Sequence, residues 1–525
     1  MARPANGGNM AKYDVIVVGA GNGGLSAALW LQKRGKKVLL IEKHNLPGGC
    51  ATSFVRGNYE FEATLHELCQ MGTGEGEGKR GAVRQLLEDD YGLDVEWCAA
   101  HESFAAVATD EGGFNVSMPA GVQNFIDAME KAVPGSRESM TTVMELGRML
   151  VDGVEWLYLH NNEPEGLEKV KMMLKYYDLM CLVPMPCEEM LRRIGVPEKA
   201  RNIFESYWTY VSADSTEMSF APYTFMTYVY LTQLPWFAKN RSHEISLAFD
   251  AKIRENGGDI WYNTTVEKIN IENGRVKGVT LKGGEFIECP YVISNLMPHV
   301  VFDRMVDEKE VPLYDRKKMN AQRLAQSCFT VYLGLDATAE EIGLKNYDTF
   351  MRYTPNNHEQ YLSSGSLETH KDITCTVLTN ALPDAAGEHR AFLQFSKFYT
   401  GDPFREVKKE DYFKVKDRIA RECVERYEEV TGCDLRSHIE EIVVASPATW
   451  ARYLGTPNGD VYGYTPAGWD GMFPRVQCAH KEDYTIKGLR FVGGHGTQMD
   501  GYSQAYLSGQ EQARYFFEEM EKEER

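Results

Sequence analysis

The chain has no surplus of positive charge. Its 525 residues carry 57 Lys and Arg against 76 Asp and Glu, a net charge of −19 at pH 7 with a pI near 5.2. An acidic balance of that size excludes nucleic acid as a general partner, because phosphate binding needs a basic face. It also works against attraction of the whole molecule to anionic lipid, although a local patch can escape the average. There is no Cys-x-x-Cys either. The 11 cysteines are scattered, which fits neither a disulfide framework nor a zinc site and points to buried or free thiols in a reducing cytoplasm. His66-Glu67 opens like a helical zinc-protease pair, but Gln70 stands where the second histidine is required, so no metal is expected. Long apolar runs are absent as well. The strongest candidate, Asp14 to Leu31, is interrupted by Gly19, Gly21, Gly23 and Gly24 and contains Asp14 and Asn22, and so falls short of the roughly 20 apolar residues of a membrane span. The chain shows no internal repeats and no long low-complexity tracts. With 43% hydrophobic and 25% charged residues it has the composition of a globular protein. At roughly 100–200 residues per domain it should hold two to four of them. Residues 1–11, polar and rich in small side chains, read as a disordered end.

What is present begins with a compact unit. Tyr13 to Val18 is a short apolar run, as in a buried parallel strand. Gly19-Ala20-Gly21-Asn22-Gly23-Gly24 follows, then a helix to about Arg34, then a second strand from Val38 to Glu42. A Gly-x-Gly-x-x-Gly string alone is weak evidence. Placed between a strand and a helix start, it has a mechanism. The first glycine makes the tight turn, the second lets a pyrophosphate approach the backbone, and the third lets helix and strand pack closely. The helix N-terminus favours the anion. Glu42, at the end of the second strand, is placed to accept hydrogen bonds from ribose hydroxyls.

The residues also indicate which dinucleotide. Gly48 and Gly49 follow shortly after Glu42 and allow a second close approach of backbone to cofactor, which a long FAD molecule needs and NAD does not. No second strand–glycine turn–helix unit exists to hold a separate nicotinamide. Gly72-Thr73-Gly74-Glu75-Gly76-Glu77-Gly78 resembles one only by glycine count. It follows no strand, and Glu75 and Glu77 would repel phosphate, so it reads as a flexible loop.

Further along, residues 86–240 read as helix-rich and dense in methionine and aromatics, among them Tyr207, Tyr210, Phe220, Tyr223, Phe225 and Tyr230. These are either core or a wall around a greasy substrate. From Ser242 an α/β pattern returns: a helix ending near Gly257-Gly258, strands at Ile260 and from Thr265 to Ile271, a hairpin turn at Asn273-Gly274, and a strand from Tyr291 to Asn295. Tyr412 to Val430 keeps helical spacing amid dense charge, as on a surface helix. Gly488 to Gly494 reads as a last strand and turn, and Gly501 to about Glu521 as a terminal helix. The expected fold is α/β: a Rossmann-type FAD-binding domain assembled from three segments (12–75, 241–300 and 485–525), with an inserted α+β substrate-binding region (76–240 and 301–484).

Gly19 to Ser53, Gly257 to Asn295 and Gly488 to Gly509 together resemble the phytoene desaturase-like flavoproteins, a group that includes the carotenoid isomerases and retinol saturases and is related to the amine oxidases. Gly48-Gly49-Cys50 followed by Phe61-Glu62-Ala63-Thr64-Leu65-His66 is more similar to retinol saturases, with Cys50 where many relatives have arginine. Gln504 stands where relatives usually have glycine. His243 falls in a stretch that departs from the family's usual Pro-x-Gly-Gly. The absence of a cysteine beside the C-terminal motif makes a covalent cysteinyl–flavin link unexpected.

Motif and resemblance together give the residues expected to contact FAD: Gly19, Gly21, Asn22, Gly23, Gly24, Glu42, Lys43, Gly48, Gly49, Cys50, Thr64, Val266, Asn295, Gly493, Gly494 and Met499. His66, Asp500 and Tyr502 are the candidate catalytic groups. His66 could move a proton to or from carbon, or serve as a structural histidine beside the flavin. Asp500 could cap the terminal helix or act in acid–base chemistry. Tyr502 could offer its hydroxyl or simply pack. Glu217 reads as a solvated carboxylate. The expected activity is an FAD-dependent oxidoreductase that saturates or desaturates carbon–carbon bonds of a hydrophobic isoprenoid, polyene, steroid or fatty acyl compound, with an electron donor or acceptor of unspecified kind. The alternatives are a redox-neutral double-bond isomerase, an amine oxidase, and a flavin-containing binding protein. A lipid-soluble substrate would bring peripheral membrane contact with it.

Overall fold

The computed structural model describes residues 12–64, 67–73, 80–100, 102–160, 164–466, 484–495 and 501–525. His66, Met499 and Asp500 lie outside these residues, as does most of the glycine-rich loop after Gly72.

Val15–Val18 is buried on both faces, as an interior parallel strand must be. It lies at the centre of a five-stranded sheet. Val38–Ile41 and then Asp259–Trp261 extend the sheet on one side, and Val292–Ser294 and then Leu489–Phe491 on the other; all pairs are parallel. The central strand therefore has its sequence successor on one side and a distant segment on the other. That arrangement opens a crevice at the carboxyl end of the sheet, where open α/β folds bind ligands. Three separate stretches of sequence thus build one Rossmann-type sheet, as the glycine and strand patterns predicted.

Helix Asn22–Gln32 follows the first strand, and all eleven of its residues are buried. Such a helix needs cover all round. The terminal helix Tyr502–Glu523 supplies much of it. The two approach so closely at Gly509 that a methyl there would lie 2.4 Å from the Gly23 carbonyl oxygen. Ser26 Oγ donates to the Tyr506 carbonyl at 2.6 Å across the same crossing. Beside the parallel sheet, Val266–Glu272, Arg275–Leu281 and Phe286–Glu288 form an antiparallel meander. Asn273 and Gly274 both adopt positive φ at its first turn, as a two-residue hairpin requires.

A second, seven-stranded sheet runs in the spatial order Ile439–Ala445, Ser327–Leu335, Ala391–Tyr399, Ile373–Thr376, Asp348–Arg352, Glu102–Ala108, Phe114–Pro119. The last two strands correct the reading of residues 86–240 as simply helix-rich. Glu-Ser-Phe-Ala-Ala-Val-Ala has no polar–apolar alternation, and it becomes a strand through parallel pairing with Asp348–Arg352 more than 200 positions on, a contact that local pattern does not encode. Helices Arg137–Leu159 and Phe220–Gln233 pack over this sheet with Met140, Val143, Phe204, Tyr207 and Tyr223 between them. Helix Tyr412–Thr431 buries Ile419, Cys423 and Tyr427 and turns most of its charged residues outward, as its spacing implied, whereas Arg426 is buried and donates to the Arg352 carbonyl at 2.8 Å.

Candidate dinucleotide and substrate cavity

The glycine turn is held by backbone geometry. Gly19 adopts φ +98°, and its N–H donates to the Ile41 carbonyl at 2.8 Å. Gly21 precedes the first helical residue, and a methyl on it would lie 2.3 Å from Asn295 Nδ2. A methyl on Gly24 would lie 2.0 Å from the Gly19 carbonyl oxygen, so this glycine serves helix–strand packing. The next loop returns to the same point: Gly48 N–H donates to the Ala20 carbonyl at 2.8 Å, and Gly48 has φ +120°. Helix Asn22–Gln32 begins here with N–H groups that have no intrahelical partner, and the buried Asn22 Oδ1 has no hydrogen-bond partner among the described residues. The Glu42 carboxylate accepts from the Ala20 N–H at 2.7 Å and the His44 N–H at 2.8 Å, which fixes its orientation and leaves further lone pairs for a ligand hydroxyl.

This turn forms one end of a cavity of about 840 Å³. Gly19, Gly21, Asn22, Gly23, Glu42, Lys43, Gly48, Gly49, Cys50, Thr64, Val266, Asn295, Gly493 and Gly494 all line it, and so does Tyr502. Of the described residues expected at the site only Gly24 does not, for the packing reason given. Burial lowers the pKa of the Lys43 ammonium, whose Nζ donates to the Arg452 carbonyl at 3.2 Å. Burial pushes the Cys50 thiol up to about 12, which keeps it protonated and unreactive. The first turn of the terminal helix, from Gly501 to Ala505, also faces the cavity. The helix N-cap position is Gly501, with φ +105°. The Tyr502 hydroxyl shares a hydrogen bond with Thr64 Oγ1, and burial raises its pKa far above the ordinary tyrosine value. That hydroxyl stays protonated, which limits Tyr502 to donating or accepting hydrogen bonds.

The other end of the same cavity is apolar. Val154, Tyr158, Val183, Tyr210, Val211, Pro222, Phe225, Met226, Tyr230 and Phe398 line it. The aromatic stretch thus divides: Tyr207, Trp208, Phe220 and Tyr223 are core, while Tyr210, Phe225 and Tyr230 face the chamber. Glu217, by contrast, is about half exposed and pairs with Arg323 at 2.6 Å, as expected of a solvated carboxylate.

One chamber residue escaped the reading from sequence. Glu67 lines the cavity, and its Oε1 is enclosed with no hydrogen-bond partner among the described residues. Burial, and then the negative charge of Asp348, raise its carboxyl well above the usual range, while the Tyr347 hydroxyl works in the opposite direction. Asp348 itself accepts from the Tyr210 hydroxyl at 3.0 Å and from Thr376 Oγ1 at 3.1 Å. In the sequence Glu67 was visible only as half of an incomplete zinc motif. Asp460, a second buried carboxyl on the cavity wall, accepts from the Gly463 N–H at 2.7 Å and is raised to about 7 by burial. Among the described residues no group of three His, Cys, Asp or Glu side chains could hold a metal ion.

The profile of the NAD(P)-binding Rossmann-like domain matches residues 17–77. The chain is 24% identical over 502 residues to the all-trans-retinol 13,14-reductase of Danio rerio, covering 86% of this chain and 77% of that protein. It is 23% identical over 486 residues to the chloroplastic prolycopene isomerase of Daucus carota, covering 88% and 73%. The crystal structure of an oxidoreductase from Methanosarcina mazei superposes with a TM-score of 0.62 at 15% identity, covering 94% of this chain and 98% of the other, which extends the shared fold to nearly the whole molecule. Sheet, glycine turn and relatives define a Rossmann-type oxidoreductase. Within that class the chain is similar to the retinol saturases and carotenoid isomerases, as its three glycine-containing segments suggested.

Proposed function

We propose that this chain is an FAD-dependent oxidoreductase that saturates carbon–carbon double bonds of a hydrophobic polyene or isoprenoid, or desaturates the corresponding single bonds. The single observation that carries this reading is the continuity of the cavity, with a glycine-lined crevice at a helix N-terminus at one end and a chamber of Tyr210, Phe225, Met226 and Tyr230 at the other. A long dinucleotide fits the first end. The turn at Gly19 to Gly23 would take the diphosphate, Glu42 the adenosine ribose, and the Gly48-Gly49 loop would allow the second close approach. The start of the terminal helix, with its free N–H groups, would face the ring and oppose negative charge on it. A reduced flavin supplies a hydride, or two single electrons, at N5. Saturating a double bond also takes a proton, and Glu67 is the group to give it: a carboxyl kept neutral in an apolar chamber, with one oxygen unpartnered among the described residues. In the opposite direction the same carboxylate would accept the proton. The tyrosines would hold the substrate and exclude water. The retinol and carotene chemistry in the relatives' names agrees with a long apolar substrate.

The test is anaerobic photoreduction of the holoprotein followed by mixing with all-trans-retinol or a carotene. Reoxidation of the flavin with formation of the saturated product is expected. Product formed without net change in the flavin would mean isomerisation. Flavin reduction by an amine, or indifference to every polyene, would overturn the proposal.

A further inference from the structure

One carboxyl on the cavity wall has no part in the site as read from sequence. Asp460 lines the cavity and is fully buried. Its Oδ1 accepts from the Gly463 N–H at 2.7 Å, while its Oδ2 has no hydrogen-bond partner among the described residues. Burial raises its pKa to about 7, and no Lys, Arg or His side chain counters that shift. A buried carboxyl oxygen without a donor is costly. One that faces a ligand cavity marks a contact that the ligand completes.

The place of Asp460 along the cavity identifies the donor. At the phosphate end, Gly48 pairs with Gly21 in a parallel bridge, and Cys50 follows two residues later. On its other side, the Cys50 carbonyl accepts from Thr64 Oγ1 at 3.4 Å, and Thr64 shares a hydrogen bond with Tyr502 in the first turn of the terminal helix. Cys50 is thus bracketed by the phosphate turn and by the helix that would face the ring. The segment 459–463 closes over it. Cys50 Sγ lies 3.9 Å from the Val461 carbonyl oxygen, and the charge of Asp460 acts on the Cys50 thiol. Gly463 comes so near the turn after the last strand that a methyl on it would lie 2.8 Å from the Gly494 carbonyl oxygen. In an extended FAD the interval between diphosphate and ring is spanned by the ribityl chain, which carries hydroxyl donors. A diphosphate would repel a carboxyl, and the adenosine ribose is assigned to Glu42. We infer that Asp460 Oδ2 accepts a hydrogen bond from a ribityl hydroxyl of FAD and so holds the cofactor between its two ends. The inference rests on the cofactor of the proposed function and not on its substrate or reaction.

Titration of the full chain with FAD and with its 2′-, 3′- and 4′-deoxyribityl analogues, followed by flavin fluorescence without substrate, tests this. At about pH 8, where the carboxyl is ionised, the wild type should bind one of the three analogues about tenfold or more weakly than FAD. In Asp460→Ala, FAD and that analogue should bind alike, both near the wild-type affinity for the analogue. Asp460→Asn keeps an acceptor for the Gly463 N–H and replaces a charge-assisted bond by a neutral one of about half the strength, so the gap should shrink to about threefold. This second variant decides the matter if alanine disturbs the loop. FAD lacking the adenosine 2′-hydroxyl should lose the same affinity in wild type and variants, since that hydroxyl falls to the Glu42 end. A wild type that binds all three deoxyribityl analogues as tightly as FAD, or a variant that keeps the full gap, would overturn the inference. A chain that binds no FAD would defeat the proposed function itself. A chain that binds FAD with the expected gap but reduces no polyene would defeat the proposed chemistry and leave the Asp460 contact in place.

Discussion

At Glu67 two costs oppose each other. An ionised carboxylate in an apolar chamber beside Asp348 is expensive, and a neutral carboxyl with an oxygen unpartnered among the described residues forfeits a hydrogen bond. The first cost is larger, so the residue holds its proton, and a held proton beside a substrate is a donor. Replacing Glu67 by Gln keeps the shape and removes the proton. Saturation should fall by about 100-fold or more, while photoreduction and flavin content stay as in the wild type. The sign of the pH dependence follows from the role. The donor is active while protonated, so wild-type rates should fall as pH rises through the raised pKa, and Glu67→Gln should lose that alkaline limb. Stopped-flow reoxidation across pH checks both; a variant within about threefold of the wild type would remove Glu67 from the chemistry.

Among elements, the crossing of helices Asn22–Gln32 and Tyr502–Glu523 matters most, because it ties the phosphate turn to the end that would face the flavin ring. Gly509 permits the contact. A methyl there would meet the Gly23 carbonyl at 2.4 Å and Ser26 Cβ at 2.7 Å. Alanine would gain about 1 kcal/mol of helix propensity, but backbone cannot yield as a side-chain tip can, and overpacking costs about 1–3 kcal/mol. Gly509→Ala should therefore lower the denaturation midpoint and release cofactor more readily, whereas Gln510→Ala, one position along, should do neither. Equal midpoints for the two variants would refute the argument. This same scale shows what could be read from sequence. The strand–turn–helix at Val15 to Gln32 was legible because glycine spacing and apolar runs are local signals, and the third glycine already implied close packing. Which element packs against Gly23 and Ser26 was not legible, because Gly509 is some 480 positions away. Strands Glu102–Ala108 and Phe114–Pro119 were missed for a related reason: their pairing partner, not their pattern, makes them strands. Tyr207 and Tyr210 look alike in sequence, yet one is core and the other cavity wall, a distinction set by the rest of the fold. Glu67 carried no signal of its own beyond proximity to a histidine.

For the whole molecule, pH dependence of stability joins the acidic composition to the buried carboxyls. Glu205 is 1% exposed within the helical insertion, and burial raises its pKa from the ordinary 4.5 to about 8. Between those values the folded chain holds a proton that the unfolded chain has released. Stability must therefore fall as pH rises through that window, at a slope of up to about 1.4 kcal/mol per pH unit for such a group. Glu62, raised to about 8, and Asp460, raised to about 7, act with the same sign. The net charge of −19 adds self-repulsion that also grows with pH, but salt separates the two: diffuse repulsion is screened, and a buried titration is not. The unfolding midpoint should be highest near about pH 5 and decline toward about pH 8, and salt should recover only part of the loss. Glu205→Gln should match the wild type at the acid end, where both side chains are neutral, and gain on it steadily as pH rises. Differential scanning fluorimetry of both proteins across this range at low and high salt decides the matter. Parallel curves would show that Glu205 titrates in the folded state as it does in the unfolded one and that the other charges account for the decline.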